Sequence, residues 1–275
     1  MTGRVHHAVR LPMYDWPQVR AATEDLEAAL QSALLDALEL TPDRLRPWPE
    51  DMDLAEAWAH PDVLLTQTCG YPLTHALSGK VRLLGAPHYA APDCDGPRYC
   101  SQIVVRRDSA FSKLEDLRGA RAVFNSPDSQ SGMNAFRHTV AGVAEEGRFF
   151  SEVTSSGGHL ASLRAVAEGD ADVAAIDAVC WHLACREMPE LAGRLKPIAR
   201  TGSVPVLPLI TSSRFSDSEA GLITEVIEAV FAAPETQASR ARLGIHGFSR
   251  LSTADYAGIL RMEREAAELG YPALA

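Results

Sequence analysis

Short apolar runs of strand character alternate along this chain with longer stretches whose apolar positions fall three and four apart, a pattern that predicts an α/β protein. Residues 8–14 read as a first strand, and Asp15 with Gln18 three positions on has the form of a capping box for the helix that follows. In that helix Val19, Ala22, Leu26, Leu30, Leu34 and Leu38 share one face. Pro42 to Pro49 is a turn-rich connection; Asp53 and Glu56 open a short helix through Trp58, and Pro61 ends it. Residues 62–67 form a buried strand with the exit loop Thr66-Gln67-Thr68-Cys69-Gly70-Tyr71, 81–85 another strand, and 88–97 a loop.

An extended run at 99–106, a helix at 112–119 and a strand at 120–125 come next, then a strand at 149–154. Gly157-Gly158-His159 leads into a helix with Leu160, Leu163, Val166 and Ala167 inside and Gly169 at its end. Residues 171–176 form a strand with Asp177 at its carboxyl end, 179–187 a helix, and 195–201 a strand. The proline-bearing segment 202–210 suits a return crossover; Ser216 with Glu219 caps a helix to Phe231, and helices at 235–243 and 253–269 finish the chain. At 275 residues the chain exceeds one ordinary core. Crossovers near Tyr99 and Pro205 therefore predict two lobes: 1–100 begins the first, 101–204 is the second, and 205–275 returns to the first.

The stretch from Ala122 to Phe136 concentrates the candidate chemistry. A strand stops and a helix starts across Ser129-Gln130-Ser131-Gly132. The first turn of a helix has unpaired N–H groups and the positive end of the dipole, so hydroxyls there make an anion site. Ser and Asp at a helix start are equally the ordinary capping residues. Gly132, without a Cβ, would let a ligand approach the backbone. Ser129, Ser131, His159 and Asp177 all fall at strand exits or helix starts, so parallel strands would place them on one edge of the sheet. Asp177 is read both as a helix cap and as a ligand contact, and His159 both as a structural and as a binding histidine.

Composition narrows the function. With 46% hydrophobic and 23% charged residues the chain is an ordinary globular protein. Its net charge of −10 argues against nucleic acid and requires any anion site to be built locally from amides and hydroxyls. No apolar run is long enough to span a membrane. Residues 1–7 lack the apolar core of a signal peptide, which predicts a cytoplasmic protein if that terminus is native and a periplasmic one if a leader has been removed. Cys69, Cys94, Cys100, Cys180 and Cys185 form no CxxC pair, so neither a zinc site nor a redox motif is expected, and Cys94 with Cys100 is left open between a disulfide and free thiols. No cofactor or metal is expected.

Leu114-Glu115-Asp116-Leu117-Arg118-Gly119, Ser129-Gln130-Ser131-Gly132, Gly158-His159-Leu160-Ala161-Ser162-Leu163-Arg164 and Gly169-Asp170-Ala171-Asp172-Val173-Ala174-Ala175-Ile176-Asp177, followed by Leu207-Pro208-Leu209-Ile210-Thr211, resemble in order and spacing the phosphate/phosphite/phosphonate-binding family of ABC-transporter substrate-binding proteins. The resemblance implies a two-lobed α/β type 2 periplasmic-binding-protein-like fold with two crossovers and an interlobe cleft. It also implies a solute-binding protein, not an enzyme, for phosphate, phosphite or a phosphonate. By position it implies that Ser129, Gln130, Ser131 and Gly132 hold the anion, that His159 adds a donor, and that Asp177 accepts from a protonated oxygen or an amine. Tyr14, Thr66, Gln67, Tyr71 and Tyr99, near strand ends and a crossover, are candidates for the rest of the ligand wall. Gln130 replaces the family's usual hydroxyl residue, and Leu160 stands where an acidic residue often follows the histidine. The implied partners are the small oxyanion and a membrane component of an ABC transporter. The alternative is a cytoplasmic enzyme or sensor on the same fold acting on a phosphorylated or carboxylated metabolite. Ser, His and Asp supply the residue types of a hydrolase triad, but Ser-x-Ser-Gly is not a nucleophile elbow.

Overall fold

Two units, each with its own sheet, make up the computed structural model, which describes residues 5–275. Residues 1–4, part of the segment read for a leader, lie outside the described residues. The first unit takes the chain up to Ala90, Asp95–Pro97 and Pro205–Asp255; the second takes Ala91–Cys94, Arg98–Val204 and Tyr256–Ala275.

In the first unit the strands Ile245–Ser249, Val81–Tyr89, Leu209–Ser212 and Thr66–Gln67 lie in that order, each antiparallel to its neighbour. The helix Arg20–Ala37 turns Leu26, Leu30 and Leu34 inward, all fully buried, against the helix Asp217–Ala232 with its buried Ile223 and Ile227. Burying each such side chain stabilises the unit by about 1.5–3 kcal/mol. Asp53 caps Leu54–Ala59 by accepting from the amides of Ala55 at 2.9 Å and Glu56 at 3.3 Å, and Ser216 with Glu219 forms the expected reciprocal box. The box expected at Asp15 does not form. Val19 is the N-cap, without a side-chain bond, because Asp15 is drawn to Arg10 at 2.8 Å and Arg20 at 3.4 Å. The first strand is also shorter than the pattern predicts: His6–His7 pairs in parallel with Leu45–Arg46, Arg10 bridges Thr66, and Pro12, with no N–H and a fixed φ, starts a 3-10 turn through Tyr14.

The second unit orders its strands Leu195–Arg200, Ser101–Arg106, Val173–Asp177, Arg121–Phe124 and Glu152–Ser155. The last three run parallel, while Ser101–Arg106 is antiparallel to both of its neighbours. Phe136, Val140, Phe149, Phe150, Ile103 and Val173 form its core together with Ala266 and Tyr271 from the end of the chain. The expected strand at 149–154 begins only at Glu152, because both phenylalanines turn into that core, and 112–119 holds only a 3-10 turn, Leu114–Leu117.

The return segment differs from the expectation for 205–275. After Asp255 the chain crosses once more, and the helix Ala257–Glu268 joins the second unit. Asn134 Nδ2 donates to the Ile259 carbonyl at 3.1 Å, His138 meets Glu265 at 2.9 Å, and the Ala275 carbonyl accepts from the amides of Phe149 at 2.9 Å and Phe150 at 3.0 Å. The apolar face of Ile259, Met262 and Ala266 predicts an amphipathic helix but carries no information about which core it covers. Among the described residues no helix is long and apolar enough to cross a membrane.

Candidate functional site

Three parallel strands of the second unit deliver their carboxyl ends to one edge, and two helices begin there in a way that joins a serine to a histidine. The strand Arg121–Phe124 leads through Asn125 and a short loop to Ser129, the N-cap of a π-turn, Gln130–Asn134, that continues as the helix Ala135–Ala141. Ser129 Oγ accepts from the Gly132 amide at 3.0 Å, and the Ser129 carbonyl accepts from the Asn134 amide at 3.0 Å, closing the wide turn. Such turns inside helices cluster at functional sites. Ser131 Oγ lies 2.8 Å from His159 Nε2 and 3.5 Å from Ser129 Oγ.

His159 is the first residue of the helix His159–Glu168, behind Gly158, and its half-buried position leaves Nδ1 out of water and without a partner among the described residues. Burial alone pulls its pKa down to about 4, so the ring is neutral near pH 7. A hydrolytic triad would need a carboxylate on Nδ1, and none is there among the described residues.

Gly132 has a different neighbour from the one expected. A Cβ at this position would lie 2.1 Å from Asn125 Oδ1 and 3.3 Å from His159 Cε1, so the approach that requires glycine is that of the protein's own side chains. Gln130 also points elsewhere: fully buried, it donates from Nε2 to Met262 Sδ at 3.4 Å and accepts at Oε1 from Asn134 at 2.7 Å. Asp177 Oδ1 accepts from the amides of Val179 at 2.7 Å and Cys180 at 3.2 Å, which makes it the N-cap of Ala178–Glu187. It also pairs in register with Ser101, whose hydroxyl donates to the Ser131 carbonyl at 3.0 Å and whose amide donates to Thr201 Oγ1 at 2.9 Å. Tyr99 is buried in the fold of the same unit. The thiols there are free; burial pushes Cys94 up to about 12 and Cys100 up to about 11, so both are protonated and unreactive at neutral pH.

The remaining candidates belong to the first unit. Gln67 Nε2 donates to Tyr89 Oη at 3.1 Å and to the Leu207 carbonyl at 3.3 Å, and the Tyr14 ring stands edge-on to Tyr89. Tyr71 stacks on His75 with ring centres 3.9 Å apart. The hydroxyls of Thr66 and Thr68 are buried without a partner among the described residues. Thr68 belongs to the exit loop expected to contact ligand, whereas Ser101 and Asn125 are not among the candidates that the sequence pattern offers. Ser101 opens an antiparallel strand, so it reaches the same edge from the amino end, whereas the rule for parallel strands points only to carboxyl ends and helix starts. Asn125, one residue past its strand, carried a signal in its place directly before the serine loop.

Two α/β units, with hydroxyls and a neutral histidine gathered at helix starts on one sheet edge, define the class of periplasmic-binding-protein-like solute receptors. Residues 11–256 match the profile of the family described as ABC transporter, phosphonate, periplasmic substrate-binding protein, and the chain belongs to that family. It is a family of solute-binding proteins for phosphorus oxyanions in ABC transport systems, not of enzymes. The fold is shared with a binding protein component of an ABC phosphonate transporter from Pseudomonas aeruginosa, at 17% identity and a TM-score of 0.76 over 97% of this chain and 88% of that one. It is shared too with PhnD1 from Prochlorococcus marinus in complex with methylphosphonate, at 15% identity and a TM-score of 0.74 over 96% of this chain and 99% of that one. A Xanthomonas citri protein bound to ATP follows at 14% identity and a TM-score of 0.70, over 96% and 98% of the two chains. No curated protein sequence matches the chain.

Proposed function

We propose that Ser129, Ser131, the backbone from Gln130 to Gly132 and His159 hold the oxyanion of a phosphate, phosphite or small phosphonate for delivery to the membrane component of an ABC transporter outside the cytoplasm. The observation that carries this assignment is the 2.8 Å contact between Ser131 Oγ and the neutral ring of His159 at the start of a second helix. A desolvated oxyanion needs several well-aimed donors, and hydrogen bonds to charged groups are the stronger kind. Two hydroxyls, the helix-start amides and an imidazole meet that need without a lysine or arginine, in a protein whose net charge of −10 offers little long-range attraction. Asp177 favours a ligand that keeps a proton or an amine, because a fully ionised oxygen facing its carboxylate would be repelled. Tyr14, Thr66, Gln67 and Tyr71 of the first unit, and Tyr99 of the second, are proposed as further ligand contacts.

Calorimetric titration with phosphate, phosphite, methylphosphonate, 2-aminoethylphosphonate and acetate tests the reading. A phosphorus oxyanion is expected to bind and acetate not to. Ser131→Ala is expected to weaken binding by about 1.5–3 kcal/mol with an unchanged circular dichroism spectrum. Unchanged affinity in that variant would refute the site, and binding of acetate alone would refute the ligand class.

A further inference from the structure

In the first unit His7, His60 and Asp62 bring three metal-ligating atoms within 4.8 Å of one another. His7 lies on the strand His6–His7, held by its amide on the Asp62 carbonyl at 2.8 Å and by parallel pairing with Arg46 and Val63. His60 and Asp62 flank Pro61 in a tight turn that the Val63 amide closes on the His60 carbonyl at 3.1 Å. Two elements distant in sequence are thereby fixed with their donor atoms facing.

The hydrogen bonds determine which nitrogens carry lone pairs. His7 Nδ1 lies 3.2 Å from the Pro47 carbonyl, which can only accept, so the proton of the neutral ring is on Nδ1 and Nε2 is bare. His60 Nδ1 accepts a 3.2 Å bond from the Asp62 amide, so it is bare as well. These two bare nitrogens face each other at 3.2 Å. Two acceptors at that separation repel unless a cation lies between them, and Asp62 Oδ2, 4.0 Å from His60 Nδ1, adds a negative charge on the same side. Tetrahedral zinc with Zn–N of about 2.0–2.1 Å places ligand nitrogens about 3.3–3.4 Å apart, close to the spacing found.

The surrounding contacts have the form that orients metal ligands. The Pro47 carbonyl fixes the His7 tautomer, and Arg214 Nη1 donates to Asp62 Oδ1 at 3.0 Å, leaving Oδ2 toward the histidines. His7 is buried, while His60 and Asp62 keep 29% and 27% of their side-chain surface, enough for a metal and a water to reach the cluster.

The geometry points to a divalent transition-metal site of the zinc class, formed by His7 Nε2, His60 Nδ1 and Asp62 Oδ2 with water as the fourth ligand, clamping the first strand to the 60–63 turn. Binding would displace the long Asp62 amide bond to His60 and requires a small rotation of the Asp62 carboxylate. The site involves none of the proposed oxyanion ligands, so its test is independent of that reading. Untagged protein, stripped with chelator, would be titrated calorimetrically with zinc chloride, and melting followed with and without the metal. One equivalent of zinc is expected to bind and to raise the melting temperature. His60→Ala and Asp62→Asn, both at half-exposed positions, are expected to weaken zinc binding more than about tenfold while circular dichroism and cooperative urea unfolding confirm that they fold. Absence of saturable zinc binding, the result if the two histidines share a proton instead, would overturn the proposal. So would zinc binding of unchanged strength in the two variants.

Discussion

Gly132 is the point at which the candidate site tolerates least change. Its backbone is approached by Asn125 Oδ1 and His159 together, so Gly132→Ala must push one of them away. Urea unfolding is expected to show a loss of about 1–3 kcal/mol, the range for overpacking, and the loss should shrink when Asn125→Ala is added. His159 makes a prediction of its own through pH. Its pKa falls from 6.5 in an exposed histidine to about 4 in the folded protein, so between those values the unfolded chain binds more protons. Stability is therefore expected to decline as pH falls from about 6.5 toward about 4, and His159→Gln to flatten that part of the profile in urea titrations. A slope identical in wild type and variant would show that His159 is not the group responsible.

The helix starts were legible in sequence wherever a cap acts on its own helix. Asp53, the Ser216–Glu219 pair, and Gly169 with φ of 89° are local devices, and the structure uses each as the pattern predicts. Asp15 fails because its alternatives, Arg10 and Arg20, offer opposite charge that no capping rule weighs. Asp177 caps Ala178–Glu187, and this separates its two readings experimentally. Asn caps about as well as Asp, whereas Ala does not. Asp177→Asn is expected to leave stability within a few tenths of a kcal/mol and to change the preference between methylphosphonate and 2-aminoethylphosphonate; Asp177→Ala should in addition lose about 1 kcal/mol. A calorimetric preference unaltered in the Asn variant would leave Asp177 as a cap alone.

The two units are joined by more than the two crossovers expected, since the last residues of the chain complete the second core. Tyr271 is fully buried and accepts at Oη from the Ala275 amide, and the Ala275 carbonyl holds the amides of two core phenylalanines. Removing residues 271–275 is expected to destabilise the second unit by at least about 3 kcal/mol, as truncation of a buried aromatic does, and to abolish oxyanion binding. Denaturant unfolding followed by circular dichroism checks this; a truncated chain as stable as the whole one would show that the terminal contacts contribute nothing.

The amino-acid pattern by itself determined the α/β class, the longer helices, the serine loop at 129–132 and the histidine at the next helix start, because periodicity, caps and strand–helix junctions are properties of neighbouring residues; the one-turn helices Gly70–Thr74 and Pro189–Gly193 are too short to show a period. The motifs from Leu114 to Thr211 were also enough to identify the family. Tertiary structure decided what depends on residues far apart in the chain. It placed Ala257–Glu268 on the second core, turned the Gln130 side chain inward to Met262, and brought Ser101 to the site from an antiparallel strand. It also set His7 against His60 across 53 positions of sequence. An apolar face or a lone imidazole specifies that it needs a partner, and only the packed chain supplies which one.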